Sequence, residues 1–285
     1  MNSRDRWVYK YQGLGNDFLV AEVAVAPHLQ FSEGAKRICD RHFGIGADGL
    51  ILLTYDEIPT MHLYNSDGSR AAISGNGLRC LAFHIARSST DGMVEFDVAT
   101  DAGVRGVVRH ATNGDVAQIS SSMGAVEVES TLEYESKVAN RSWSAHLVDV
   151  GNPHLVFLSE QPIEDLAAHR GEIEVEAMRL QSEYGGGVNV EWVVPKLGTS
   201  LDDSDVEMIV FERGAGFTMA CGSGSTAVGA VLRGVNRSGS FTTASIKNPG
   251  GDLTVSYNSE RGEFYLAGSA SFVAKVLPSE DLWPI

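Results

Sequence analysis

Short apolar runs alternate along this chain with breaks rich in glycine, asparagine and aspartate. Many of the runs are β-branched and follow a two-residue period, which predicts strands. They fall at Val8–Tyr11, Phe18–Val25, Leu50–Tyr55, Met61–Tyr64, Val94–Ala99, Val104–His110, Val116–Ser121 and Ala145–Val150. Others follow at Leu155–Leu158, Val188–Val194, Val206–Phe211, Leu253–Tyr257 and Glu263–Val273. A helical period is confined to Ser32–Asp40, Leu78–Ser88, Ala167–Arg179 and Ser223–Leu232. Many strands and few helices predict an α+β fold, with sheets around a small number of buried helices.

Three short patterns recur in the same order, which points to a duplicated unit. Gly15-Asn16-Asp17-Phe18 is answered by Gly151-Asn152-Pro153-His154. Tyr64-Asn65 precedes Ser74-Gly75-Asn76-Gly77 by the same interval as Phe211-Glu212 precedes Cys221-Gly222-Ser223-Gly224. Chance matching of short Gly/Asn motifs competes with this reading. The polar stretch Gly124–Ser136 reads as the boundary, and Phe272–Ile285 as a segment that completes the first half's sheet. The domains are therefore expected at 1–123 with 272–285, and at 124–271.

The chain has 285 residues, long for one domain and suited to two. A net charge of −15 argues against a nucleic-acid or anionic-membrane binder, either of which needs a basic face. No apolar run approaches the roughly 20 residues of a membrane span, and Met1–Arg6 lacks a signal peptide's apolar stretch. Cys39, Cys80 and Cys221 fit neither a disulfide framework nor a CxxC metal pattern. The expectation is a reduced, cytoplasmic protein in which any special cysteine is catalytic.

Cys221 lies between a predicted strand and a predicted helix, where the helix dipole is expected to favour thiolate. Such a thiol exchanges protons near neutral pH; a buried structural cysteine is the alternative. Gly75-Asn76 and Gly222-Ser223 open their helices with N–H groups that a carboxylate can approach closely. Neither turn continues into Gly-Lys-Ser/Thr, which excludes a phosphate loop of that type. Glu212 and His154 are candidate proton partners for a thiol, although a surface ion pair or a turn histidine explains each one singly. Turn chemistry accounts for any one of Asn16, Asn65, Asn76, Asn152 and Asn189, and Arg213 offers a fork for a carboxylate. Two matching turns facing each other across a cleft would place one acid/base group on each face of a substrate carbon. No Ser-His-Asp arrangement or dinucleotide fingerprint appears in context, so no hydrolytic or redox role is expected.

Taken together, these residues resemble the diaminopimelate epimerase family of cofactor-independent racemases, related to proline racemase. The matching blocks are Gly13–Phe18, Arg41–Gly49, Asn65–Ser69, Gly75–Cys80, Gly151–His154, Val188–Val190, Glu212–Gly216 and Ala220–Gly224. The resemblance implies two similar domains, each a curved, mostly antiparallel sheet around a central helix. It also implies a homodimer, with no pyridoxal phosphate and no metal. The implied reaction interconverts L,L- and meso-diaminopimelate, a step of lysine and cell-wall synthesis. Cys221 matches one family base with Glu212 its helper, and His154 matches the helper of the other base. Gly75, Asn76, Gly222 and Ser223 match the α-carboxylate binders. Asn16, Asn65, Asn152, Asn189 and Arg213 match the groups that hold the rest of the substrate.

Ser74 departs from the pattern, because the family carries its first catalytic cysteine there. Cys80 matches a separate family position and does not replace it. A hydroxyl is a far weaker acid than a thiol of pKa about 8.5, so the chain is expected to be impaired as a two-base epimerase. An engineered Cys→Ser change, a natural one-base variant and an epimerase that pairs Ser74 with His154 all stay open. So do a racemase of another amino acid such as histidine, a one-base isomerase or dehydratase, and a non-catalytic amino-acid binder.

Overall fold

The computed structural model describes residues 7–23, 31–89, 94–134, 136–185, 187–236 and 241–282. The chain forms two compact units, Met1–Ser121 with Gly268–Ile285, and Ser122–Ala267. The end of the predicted strand Phe18–Val25 and the last three residues of Phe272–Ile285 lie outside the described residues.

In the first unit β1 (Val8–Gly13) and β2 (Asn16–Glu22) form a hairpin. Its two turn residues, Leu14 and Gly15, have φ of 56° and 85°, the left-handed pair that a tight hairpin turn needs. After α1 (Phe31–Cys39), β3 (Gly49–Tyr55) joins β2 in parallel and β4 (Pro59–Asn65) folds back on β3. The two-residue β5 (Arg70–Ala71) leads into α2 (Gly75–Ser88). Then come β6 (Glu95–Thr100), β7 (Gly103–Asn113) and β8 (Val116–Gly124), with β6 parallel to β4. The second unit opens with β9 (Glu127–Tyr134), β10 (Trp143–Asp149) and β11 (Pro153–Leu158). It continues through α3 (Arg170–Glu183), β12 (Asn189–Pro195), β13 (Asp205–Glu212), β14 (Gly216–Phe217) and α4 (Gly222–Val235). β15 (Thr243–Asn248), β16 (Gly251–Asn258) and β17 (Glu263–Val276) complete it.

The two units repeat one order of pairings. A hairpin (β1–β2, β10–β11) is extended by a parallel strand (β3, β12) and then an antiparallel one (β4, β13). After the central helix a strand returns parallel to that last strand (β6 on β4, β15 on β13) and starts a meander. In the first unit the end of β17 pairs with β1 and β8 pairs with β17, which closes the strands into a barrel. In the second unit β9 takes the corresponding place beside β10.

Strand periodicity explains how each sheet carries two layers. On β3, Ile51 and Leu53 pack inward against Leu78, Leu81, Phe83 and Ile85 of α2. Leu50 and Leu52 face outward against Ala35, Ile38 and Cys39 of α1. Helix α2 is buried from Gly75 to Ala86, as a helix ringed by strands must be. In the second unit α3 covers the outer face through Ile173, Ala177 and Leu180, over Phe157 stacked on Trp192 at 5.1 Å. Helix α4 is the buried central element there.

The structure differs from the sequence reading at three places. The polar boundary stretch contains β9, whose mixed sequence EVESTLEY is held by its pairing with β10. β15 escapes an apolar-run search because only Ala244, Ile246 and Asn248 turn inward. The predicted helix at Ala167 is first a 3₁₀ turn, Leu166–His169, capped by Asp165. Among the described residues no helix is long and apolar enough to cross a membrane.

α4 comes close to its sheet at Gly229, since a Cβ there would lie 2.4 Å from Val255 Cγ1. Valine's short side chain cannot swing away, so Gly229→Val should overpack the core by about 1–3 kcal/mol or more. A urea midpoint equal to the parent's would refute this.

Candidate active site

Ser74 and Cys221 occupy the same structural position. Each is the N-cap of a central helix with extended backbone, at φ −136° and ψ 124° for Ser74 and φ −114° and ψ 116° for Cys221. Ser74 Oγ accepts from Gly77 N at 3.1 Å, and Cys221 Sγ accepts from Gly224 N at 3.3 Å. Their carbonyls accept the first helical bonds, from Leu78 and Ser225. Serine is a strong N-cap by nature; cysteine is not, so its use at α4 calls for another reason.

What lies beneath the two caps differs. The register pairs Phe18 with Gly49 in the first unit and His154 with Asn189 in the second. By that register Phe18 corresponds to His154 and Ile51 to Glu191. A Cβ on Gly77 would meet Ile51, Met61 and Phe18, each at 3.3 Å. A Cβ on Gly224 would come within 2.5 Å of Glu191 Oε1 and 3.3 Å of Cys221 Cβ. The slot under Ser74 is therefore apolar, while the slot under Cys221 holds a buried, hydrogen-bonded His154–Glu191 pair. His154 Nδ1 donates to Glu191 Oε1 at 2.6 Å, both side chains fully buried, and His154 Nε2 meets the Asn152 side chain at 3.2 Å.

Cys221 is buried, and its thiol is also within hydrogen-bond range of Ser223 Oγ at 3.5 Å. Its pKa is raised well above the ordinary thiol value, by burial first and then by the charges of Glu212 and Glu191. Hydrogen bonds from Ser223 and Gly224 pull the other way and lose. This reverses the expected stabilisation of thiolate by the helix dipole. Burial also raises the Glu212 carboxyl, against hydrogen bonds from Thr218 Oγ1 and Cys221. Cys39 and Cys80 are free, buried and pushed up to about 12 by burial.

Removing the Glu212 charge should lower the Cys221 pKa, because that charge raises it. Glu212→Gln is expected to speed Cys221 alkylation about tenfold near pH 8. Peptide mass spectrometry of the alkylated chain reads this, and a slower or unchanged rate would show that the thiol does not feel Glu212.

The other predicted residues fall into two groups, one in each unit. In the first, Arg79 Nη2 donates to Asn76 Oδ1 at 2.6 Å, Asn76 Nδ2 to Asn16 Oδ1 at 3.2 Å, and Asn16 Nδ2 to Asp48 Oδ2 at 2.6 Å. Arg79 has only donors and the Asp48 carboxylate only acceptors, so the relay fixes both amides. Asn65 ends β4 at an exposed turn and donates to Ser69 Oγ at 2.9 Å. In the second unit Asn189 Oδ1 accepts from Arg213 N at 2.9 Å and its Nδ2 donates to Pro153 O at 3.3 Å. Arg213 follows Glu212 on an exposed turn. Gly75, Asn76, Gly222 and Ser223 form the first turns of α2 and α4. His154 lies in the same unit as Cys221, and its Nδ1 donates to Glu191.

Sequence reasoning missed Glu191 and Arg79. Glu191 is an acid inside the apolar run Val188–Val194, and every residue of β12 is buried. Arg79 is fully buried on α2, where burial lowers it to about 10. A charge in a segment buried on all sides was the signal available for both.

The model of the family described as diaminopimelate epimerase matches residues 8–129 and 146–273. A diaminopimelate epimerase of Thermosynechococcus vestitus is 35% identical, over 92% of this chain and 95% of that protein. One from Halothermothrix orenii is 30% identical, over 93% and 94%. Among solved structures, a hydroxyproline epimerase from Agrobacterium vitis with bound trans-4-hydroxy-L-proline is similar, with a TM-score of 0.69. It is 16% identical, over 95% of this chain and 90% of that one. A phenazine biosynthesis protein of the PhzF family from Bacillus anthracis has a TM-score of 0.70 at 11% identity, over 95% and 97%. These two likenesses establish the fold.

Proposed function

The chain belongs to the diaminopimelate epimerase family, and we propose that its substrate is diaminopimelate, with Cys221 the working acid/base group and Ser74 a disabled one. It is an isomerase of the epimerase and racemase type. The observation that carries the reading is the thiol placed as an N-cap, buried beside Glu212 and above the Glu191–His154 pair. A cysteine caps a helix worse than the serine of the other unit does, and the ionisable groups around it have no purpose in a pure binder.

In this reading Glu212 accepts the thiol's proton and the thiolate then takes the substrate α-proton. A thiolate whose conjugate acid is weak is the stronger base for so weak a carbon acid. The first-turn N–H groups at Gly222 and Ser223 hold the α-carboxylate and stabilise the charge it receives as the proton leaves. Gly75 and Asn76 play the same part at the other helix. Asn16, Asn65, Asn152, Asn189 and Arg213 hold the distal amine and carboxylate. Inversion takes a second acid/base group on the opposite face of the α-carbon, and Ser74 supplies only a hydroxyl over Phe18, Ile51 and Met61.

That apolar slot favours a second reading, a one-base isomerase or dehydratase on the same scaffold. α-Proton exchange in deuterated water separates the two, with L,L- and meso-diaminopimelate offered to this chain and to its Ser74→Cys variant. Epimerisation by the variant supports the first reading, while a product lacking the α-proton in either chain supports the second. If neither chain touches diaminopimelate, the substrate assignment fails.

A further inference from the structure

The duplicated fold contains its own control for the buried His154–Glu191 pair. Position for position, the first unit fills the slot beneath the central helix's first turn with Phe18 and Ile51, and the second fills it with His154 and Glu191. The same fold is therefore built with apolar side chains at these sites. Burying a carboxylate with its partner commonly costs more desolvation than their attraction returns, and well-packed apolar replacements of similar size are often neutral or stabilising. Here the cost is visible in one atom. Glu191 Oε2 is buried, and among the described residues no group donates to it. Packing thus gives no reason for the pair.

Its location gives one. Glu191 Oε1 lies 2.5 Å from where a Cβ would fall on Gly224, the residue whose N–H donates to Cys221 Sγ. A methyl group on residue 224 would occupy the carboxylate's space, so glycine at the third position of α4 is what admits Glu191. The carboxylate accepts a hydrogen bond from His154 Nδ1–H, which commits the ring's orientation and turns Nε2 toward Asn152. Glu191 faces His154 from β11 and the Cys221–Gly224 turn from α4, and Glu212 is the other carboxylate whose charge reaches the thiol.

We infer that Glu191 is a positioning residue of the Cys221 half-site, fixing the His154 ring and setting the charge beneath the Cys221–Gly224 turn. This rests on the proposed function for its catalytic consequence but not for its electrostatic one, and the test separates the two.

Three chains would be compared: the parent, Glu191→Gln, and the double variant His154→Phe with Glu191→Ile, which copies the first unit's residues. Each would be measured for its urea midpoint and for the pH profile of Cys221 alkylation by iodoacetamide, read by peptide mass spectrometry. Each would also be measured for α-proton exchange on diaminopimelate in the Ser74→Cys background. The double variant should be at least as stable as the parent. Both variants should alkylate about tenfold faster near pH 8, and exchange should fall about 100-fold. Unchanged alkylation profiles would overturn the inference, and so would loss of stability in the double variant without a profile shift. If profiles shift while exchange holds at the parent's rate, the positioning role is overturned. If the Ser74→Cys parent exchanges nothing, the substrate reading fails, and the alkylation and stability arms still decide the role of Glu191.

Discussion

Cys221→Ser is expected to remove α-proton exchange while leaving the fold intact. Serine is the residue that caps α2 in the same geometry, and it is a better N-cap than cysteine. The variant should therefore unfold at an equal or higher urea concentration than its parent. What it loses is the proton carrier. General acid/base groups contribute about 10²–10⁴-fold to rate, and a hydroxyl at this site is much harder to ionise than a thiol. Burial and the charges of Glu212 and Glu191 already raise the thiol, and the same surroundings would raise a hydroxyl further out of reach. Exchange in deuterated water, followed by NMR of the substrate α-position, should drop at least 10²-fold in both the present chain and its Ser74→Cys form. Exchange at the parent's rate in a folded Cys221→Ser chain would place the reacting base elsewhere.

The two helix starts were legible because capping is local chemistry: a polar residue, then glycines, then helix formers. The α+β class was legible because strand and helix periods are written in runs of neighbouring residues. The order of the repeated motifs agrees with the register in which Phe18 corresponds to His154. Two kinds of information were not local. β9 is a strand because β10 offers it a partner, and its own sequence resembles a linker. The acidity of Cys221 is lowered by burial first and then by the charges of Glu212 and Glu191, which come from strands β13 and β12, so a helix-dipole argument on the Cys221 turn alone gives the wrong sign. Glu191 itself was readable as an acid in a run with no polar face. A strand template that scores alternation assigns such a residue to solvent, whereas β12 has one face under α3 and the other toward α4.

Ser74→Cys should convert the chain from a defective to a working epimerase, with inversion rising about 10²–10⁴-fold. The backbone at residue 74 already has the conformation that Cys221 adopts, so the introduced sulfur should accept from Gly77 N as Cys221 Sγ does from Gly224 N. Its surroundings within the first unit are Phe18, Ile51 and Met61 beneath the turn, with no carboxylate among them. The half-buried position is also less desolvated than that of Cys221. The introduced thiol should thus be the more acidic of the two, and alkylation at neutral pH should reach it before Cys221. A pair of unequal thiols makes a stereochemical prediction. Exchange starting from the stereoisomer whose α-proton faces Cys221 should already occur, slowly, in the present chain, and exchange starting from the other should appear only with the second thiol. Deuterium incorporation into each of L,L- and meso-diaminopimelate, before and after the substitution, reads both. If the added thiol alkylates as expected and yet neither stereoisomer is inverted, Ser74 is not a disabled base and the one-base reading takes over.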